Sequence, residues 1–190
     1  MYPTITPAQR RYVENILIAD NYRMDCLYAL RTLNLPQGYI GAGFLRNAIW
    51  DKQHEFVVPT PLNDVDVIYF DPHTVSTAAE RAIKEALQKQ CPAAPWQVKN
   101  QARMHIQHNH APYSSCEEAL SMWVERETCV AVRLSLNDTF EFLAPFGLSQ
   151  NMKGTISVNP KIPRPEVFSR RVTTKKWLKL WPQLRLVNTQ

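Results

Sequence analysis

The chain predicts an α/β (α+β) fold in which helices flank a mixed sheet, and three stretches carry that expectation. Asp64-Val65-Asp66-Val67-Ile68-Tyr69-Phe70 concentrates β-branched and aromatic residues as a strand does. Thr77 to Gln90 instead places Ala79, Ile83, Ala86 and Leu87 at helical spacing. Cys129 to Leu136 and Thr139 to Ala144 flank Asn137-Asp138, a hairpin signal.

The other elements follow from local chemistry. Thr6-Pro7 reads as a cap with proline in the first helical turn, and Tyr12, Val13, Ile16 and Leu17 mark the apolar face behind it. Asp20 or Asn21 caps a second helix carrying Met24, Leu27, Tyr28, Ala29, Leu30 and Leu33, so residues 6–35 form a helical opening. Tyr39-Ile40 is a short apolar strand that enters Gly41-Ala42-Gly43, and Phe44 to Trp50 has helical spacing. Asp71-Pro72 stops the long strand. Trp96 to His105 is read as the next strand, and Ser114 or Ser115 caps a helix reaching Val124 with Glu117 and Glu118 in its first turn. A basic helix over about 165–181 ends the chain. Pro160, Pro163 and Pro165 stiffen its approach without suggesting a second domain, so residues 1–190 are read as one.

Composition narrows the class. At 190 residues and 45% hydrophobic content the chain can bury a core without disulfide or structural metal. No long apolar run or signal-peptide pattern occurs, so membrane insertion and secretion are not expected. Cys26, Cys91, Cys116 and Cys129 form no C-x-x-C pair, which fits reduced thiols and a bacterial-type cytoplasmic setting. The net charge of +5 is uneven: residues 161–190 carry eight Lys/Arg and one acid, Glu166. Such an end suits either a solvated helix face or a polyanionic partner such as an NTP or RNA. No heptad pattern bears on oligomeric state.

The chemistry centres on Asp64 and Asp66. Two residues apart on a strand, they project from the same face, while Val65 and Val67 point into the core. Carboxylates this close repel one another and call for a positive charge between them, and a hard divalent cation such as Mg²⁺ supplies it. Upstream, Gly41-Ala42-Gly43 lets backbone approach a phosphate and aims the next helix's amino end at it, with Arg46 and Asn47 in that helix.

At these residues the chain resembles the polymerase-beta-like nucleotidyltransferase superfamily, whose pattern is an apolar residue, a glycine turn, a helix, then D-x-D on the next strand. Residues 41–51 and 61–71, Asn100-Gln101-Ala102-Arg103-Met104-His105, Ala144-Pro145-Phe146-Gly147-Leu148, Lys175-Lys176-Trp177 and Trp181-Pro182 look like a group of small bacterial members of unassigned substrate. The resemblance implies a palm of mixed strands and Mg²⁺-dependent (or Mn²⁺-dependent) transfer of a nucleoside monophosphate from an NTP to an acceptor, with pyrophosphate released. It assigns Asp64 and Asp66 to the metal and Gly41, Gly43 and Arg46 to the β,γ-phosphates. Arg46 also fits a salt-bridge partner, and Asn47 fits either the turn or the ribose.

The superfamily usually has a third acid on a neighbouring strand. If Trp96 to His105 is that neighbour, the residue in register is nearer Asn100, an amide that is no base. If Thr139 to Ala144 lies beside the D-x-D strand, Glu141 is the third carboxylate, and Glu141 is the expectation adopted. Without it, the alternative is a catalytically silent NTP- or RNA-binding module. Gln101, Arg103 and His105 share strand parity and, with Asn100, are acceptor-side candidates. His105, His108, His110 and Cys116 match no standard zinc spacing, and Ser114-Ser115-Cys116 lacks a nucleophile elbow. Trp177 and Trp181 are expected to pack the last helix onto the domain, with Phe168, Val172 and Leu178 in one apolar stripe. The basic stripe of Arg171, Lys175 and Lys179 is free to guide an acceptor RNA.

Overall fold

The computed structural model describes residues 4–187; the first three residues of the opening segment and residues 188–190 of the basic end lie outside them. Helix α1 (Pro7–Ile18) starts at Thr6, whose hydroxyl accepts from the Gln9 amide while the Gln9 side chain returns a bond to Thr6, a complete capping box. Helix α2 (Asn21–Thr32) is capped by the Asp20 carboxylate on the Arg23 amide. Strand β1 (Tyr39–Gly41) runs into α3 (Gly43–Gln53), then β2 (Val65–Tyr69), α4 (Thr77–Gln90) and β3 (Trp96–Asn100). Two short helices, α5 (Gln101–His108) and α6 (Cys116–Leu120), precede the hairpin β4 (Ala131–Leu134) and β5 (Phe140–Leu143). The chain finishes with α7 (Ser149–Met152), β6 (Thr155–Ser157), α8 (Pro165–Thr174), α9 (Trp177–Leu180) and β7 (Arg185–Val187), of which β6 and β7 pair in parallel apart from the main sheet.

The main sheet is mixed, in the order β3-β2-β1-β4-β5, with β2 and β3 parallel across α4 and every other pair antiparallel. Its register aligns Val98, Val67, Ile40, Val132 and Phe142 in one row across all five strands. That row faces α1, α2 and α4 and meets Val13, Leu17, Leu27, Leu30 and Leu87 in the largest core cluster. Each fully buried member contributes about 2 kcal/mol relative to exposure. The opposite face carries Asp66, Ile68, Tyr39, Ala131 and Arg133 and is covered in part by α6, whose Cys116 and Leu120 pack on Tyr39 and Ile68.

Three expectations are corrected. The segment Trp96 to His105 is a strand only as far as Asn100, where the Asn100 side chain accepts from the Ala102 amide and starts a helix. Gln101, Arg103 and His105 therefore do not share a strand face. The helix expected to reach Val124 ends at Leu120. The last helix is broken: Lys176 takes a left-handed conformation (φ 54°), and this turn directs Trp177 into the core as expected but leaves Leu178, expected in the apolar stripe, 38% exposed. Trp181 packs inward as expected.

Polar tethers hold β3 to its surroundings. Glu80 on α4 is buried and accepts the Arg103 guanidinium as a fork (2.8 and 2.6 Å) and the Asn100 amide (2.7 Å). Burial pushes the Glu80 carboxyl up, but the Arg103 fork and the Asn100 amide outweigh it and hold it below the ordinary value. A depressed folded-state pKa gives stability that is present above the unfolded carboxylate range and is lost as pH falls through the folded value. Glu80→Gln should destabilise the protein by about 2 kcal/mol at neutral pH, shrinking towards acid pH, as urea denaturation across pH will report; an unchanged midpoint would show the fork to be without net value.

Candidate active site

The strand β2 delivers Asp66 to the sheet face opposite the core, and Asp64, one residue before the strand, has the same parity. Neither carboxylate takes a hydrogen bond or ion pair from the described residues. Burial first, and the Asp64 charge second, push the Asp66 carboxyl up to about 6, against the opposing pull of Lys175, Arg46 and Arg171. This is a half-buried acid pair whose own cations stand near it without contact. Such a donor set fits a hard divalent ion completed by phosphate and water, because it offers carboxylate oxygens but no full cage. Among the described residues no cluster of three His, Cys, Asp or Glu side chains could hold a metal by itself. The zinc reading of the histidines accordingly finds no support there, and the Cys116 thiol donates to the Gln37 carbonyl (3.2 Å).

Between β1 and α3 the strained residue is Ala42, not a glycine: its φ of 55° and ψ of −125° lie where only glycine is at ease. Its amide bonds Val130 O (3.0 Å) and its carbonyl receives the Arg46 amide (3.1 Å), which fixes the turn. The glycines serve close approach. A Cβ on Gly41 would come 3.4 Å from the Trp123 ring, and one on Gly43 would come 3.4 Å from the Arg46 guanidinium. The amino end of α3 has no side-chain cap, so its first amides are left to an anion or solvent.

Arg46 is buried, and each of its three nitrogens makes a hydrogen bond. Its Nη1 donates to Thr128 Oγ1 (2.6 Å), and its Nε and Nη2 donate to Asn47 Oδ1 (3.2 and 2.9 Å). The guanidinium sits 4.9 Å from the Trp50 ring centroid and 4.6 Å from that of Trp177. Burial lowers its pKa to about 10, with the Glu125 charge opposing, so it stays protonated at neutral pH. Asn47, for which the turn and the ribose were the roles open, instead accepts from Arg46 in the structure. The cations that sequence reasoning left on a solvated stripe are nearer the chemistry than expected. Arg171 on α8 pairs with buried Glu125 (2.5 and 3.3 Å), and Lys175 ends α8, both acting electrostatically on Asp66. Their signal was the excess of basic residues after position 160; what was missing was the destination of the helix.

Glu141 does not join the acids. It pairs with Arg133 (2.8 and 2.5 Å) on β5, and β1 and β4 intervene between it and β2. At about 4.8 Å per strand the separation is roughly 14 Å, so the expected third carboxylate shares the face of Asp66 but not its site. Asn100 is wholly buried, bonding Asp71 and Thr74 carbonyls (2.7 and 3.1 Å), and is part of the scaffold. Arg103 is held by Glu80, and the Nδ1 of His105 is buried without a partner among the described residues. Gln101 alone of the acceptor-side candidates lines a cavity with Asp66, of about 200 Å³.

A nucleotidyltransferase family model matches residues 28–186. The chain belongs to that family. Within the nucleotidyltransferases it is similar in fold to a protein whose NMR structure reveals a CCA-adding enzyme head domain, with 31% identity, a TM-score of 0.80, and coverage of 93% of this chain and 96% of that one. It is similar also to a CCA-adding enzyme in complex with CTP (13% identity, TM-score 0.62), covering 92% of this chain but 43% of that enzyme. A tRNA-processing enzyme complex shares the fold at 14% identity and a TM-score of 0.55, with 85% of this chain and 43% of that chain covered. Among proteins of curated function, none matches the chain. The polymerase-beta-like architecture expected from the glycine turn and D-x-D is thus present.

The raised pKa of Asp66 fixes a sign. The folded protein holds that proton more tightly than the unfolded chain, so the stability is full below the ordinary carboxylate range and is lost as pH rises to about 6. In EDTA, Asp66→Asn should therefore stabilise the protein by about 2 kcal/mol near neutral pH and change it little near the ordinary carboxylate pKa, as thermal unfolding at both pH values will show; a destabilised variant at neutral pH would mean that the three cations outweigh burial.

Proposed function

We propose that this chain is a Mg²⁺-dependent nucleotidyltransferase that moves a nucleoside monophosphate from an NTP to an acceptor hydroxyl and releases pyrophosphate. The observation that carries the reading is the unpartnered Asp64 and Asp66 pair, faced by Lys175, Arg171 and Arg46 and bordered by the uncapped start of α3. Asp64 and Asp66 would hold Mg²⁺, or Mn²⁺, which when bound neutralises charge at the α-phosphorus and lowers the pKa of the attacking hydroxyl.

The chain's own residues do the positioning. Lys175 offers an exposed ammonium to the β,γ-phosphates, joined by the α3 amides beyond Gly41 and Gly43. Arg46, held by Asn47 and Thr128 through three of its five N–H donors, adds its field and fixes Trp177, and Arg171 acts beside its Glu125 partner. The acceptor oxygen forms its bond to the α-phosphorus as the bridging oxygen leaves with pyrophosphate, and the hydroxyl proton passes to water. The relatives named for CCA addition, CTP and tRNA processing support an NTP donor and make RNA, met through the basic face of α8, a candidate acceptor.

A second reading rests on a specific observation: with Glu141 three strands away on β5, no third acid from the neighbouring strands stands beside Asp64 and Asp66 among the described residues. On it the chain binds an NTP or RNA and transfers nothing. Thermal-shift titration with each NTP, paired with pyrophosphate detection, separates the two. One NTP should raise Tm only with Mg²⁺, by the equivalent of about 2.7 kcal/mol at 100 times its Kd, and Asp64→Asn should abolish the shift. Lys175→Ala should weaken NTP binding by about tenfold with little change in the Tm of the free protein. A shift without pyrophosphate favours the silent module, and no shift for any NTP overturns the transfer reading and leaves the silent module only as an RNA binder, which titration with a single-stranded RNA then decides.

A further inference from the structure

We propose that the cavity of about 200 Å³ between Asp66, Gln101 and Trp123 is the acceptor subsite, and that it takes the base of a nucleoside whose own hydroxyl is the attacking group. The inference rests on the transfer reading above and names the acceptor's chemical class, which that reading leaves open.

Position comes first. Asp66 is flanked on one side by β1, which leads into α3, Arg46 and the Trp177 contact with Arg171, and on the other by β3. The phosphate-facing cations therefore gather on the β1 side. The cavity lies over β2 and β3, with Ile68 and Lys99 directly paired in its floor. In an in-line displacement the attacking oxygen and the departing pyrophosphate lie on opposite sides of the phosphorus. With pyrophosphate drawn towards Lys175, the group that attacks enters from the β3 side, where this cavity opens beside Asp66. The new bond joins the acceptor oxygen to the α-phosphorus as the old bond to the bridging oxygen breaks, and the pyrophosphate keeps the electron pair.

The lining then selects the ligand. Ile68, Met104 and the Trp123 ring, seated against Gly41, give flat apolar and aromatic surface of the kind on which bases stack. The polar groups can read a base edge. Gln101 donates its amide to the Lys99 carbonyl (3.2 Å), which leaves its Oε1 as an acceptor, and the exposed Lys99 ammonium is a donor. The tautomer of His110 follows from its partners: Arg164 can only donate to Nε2 (2.9 Å), so Nδ1 carries the hydrogen and donates to the Tyr113 oxygen (2.6 Å). The Tyr113 phenol, which also lines the cavity, keeps its own hydrogen to donate. Acceptor, donor and stacking surface together suit a heteroaromatic base. The volume falls below the roughly 300–1,000 Å³ of pockets that enclose drug-sized ligands, so it admits one base and not a folded chain.

The test uses the full chain with Mg²⁺ and an α,β-methylene NTP, titrated with adenosine, cytidine, guanosine and uridine and, separately, with a short single-stranded RNA bearing a free 3′-hydroxyl. Binding is read at the Trp123 indole resonance, assigned through Trp123→Phe. At least one probe should shift that resonance saturably. Lys99→Ala, an exposed change, and Met104→Trp, which fills the cavity, should each weaken that probe by about tenfold or more while leaving the Mg²⁺·NTP thermal shift intact. A free nucleoside that binds marks a small acceptor, and RNA binding alone marks a chain terminus; either supports the assignment. No shift with any probe overturns it. Equal loss of NTP binding in both variants also overturns it, because the cavity would then hold the donor's base. A cavity that binds nucleoside in a chain showing no Mg²⁺·NTP shift refutes the transfer reading and the acceptor role together, a result distinct from both.

Discussion

The buried Arg46 guanidinium is the interaction on which the site's arrangement depends. It packs against both the Trp50 and Trp177 rings, which meet each other edge-on, and is pinned by Asn47 and Thr128, so one cation ties α3, the turn before β4 and the broken helix that follows α8. A buried charge without such partners would cost several kcal/mol, and the two indoles with the two oxygen acceptors offset that cost. The Trp50 ring meets Trp181 edge-on at 5.1 Å, and Trp181 donates to Asp51 (2.7 Å), which also binds the Thr60 hydroxyl and amide. The segment that leads to Asp64 is thereby fastened to the same cluster.

From this follows the electrostatic character of the cleft. Arg46, Arg171 and Lys175 draw the Asp66 carboxyl down, yet burial and Asp64 push harder, so the acids remain undercompensated. Cations in direct contact would have satisfied the carboxylates and removed their use. Held a step away, they leave the oxygens available while supplying positive field where phosphates would lie. Glu125 performs the reciprocal service for Arg171, keeping that guanidinium buried in part and fixed in direction.

What was legible in the sequence was what neighbouring residues decide among themselves. The caps at Thr6 and Asp20, the strand through Asp66 and the 77–90 helix rest on contacts within a few positions, and the structure has them. The stretch after Trp96 was misread because apolar and polar residues alternate there briefly, while the switch to helix is made by one side chain, Asn100, whose bonds to Asp71 and Thr74 are distant in sequence. Glu141 was placed on the correct face, since parity is local, but strand order is not, and two strands came between. Lys175 was visible as charge and invisible as a site group. Nothing in Lys175-Lys176 announces the left-handed turn at Lys176 that brings Trp177 inward, and that turn stops α8 at its cap, Lys175, whose charge acts on Asp66.

The order of these parts along the chain has a consequence for synthesis. The acids leave the ribosome about a hundred residues ahead of Arg171, Lys175 and the Trp177 clamp, Asp66 preceding Arg171 by 105 positions. Because a nascent chain grows at about 5–20 residues per second, several seconds separate the two. During that interval the D-x-D strand can already pair within its sheet, yet it lacks the cations that would draw a triphosphate to it. The positive field at the acids thus arrives later than the strand that carries them, set by when the turn at Lys176 docks rather than by when the sheet forms.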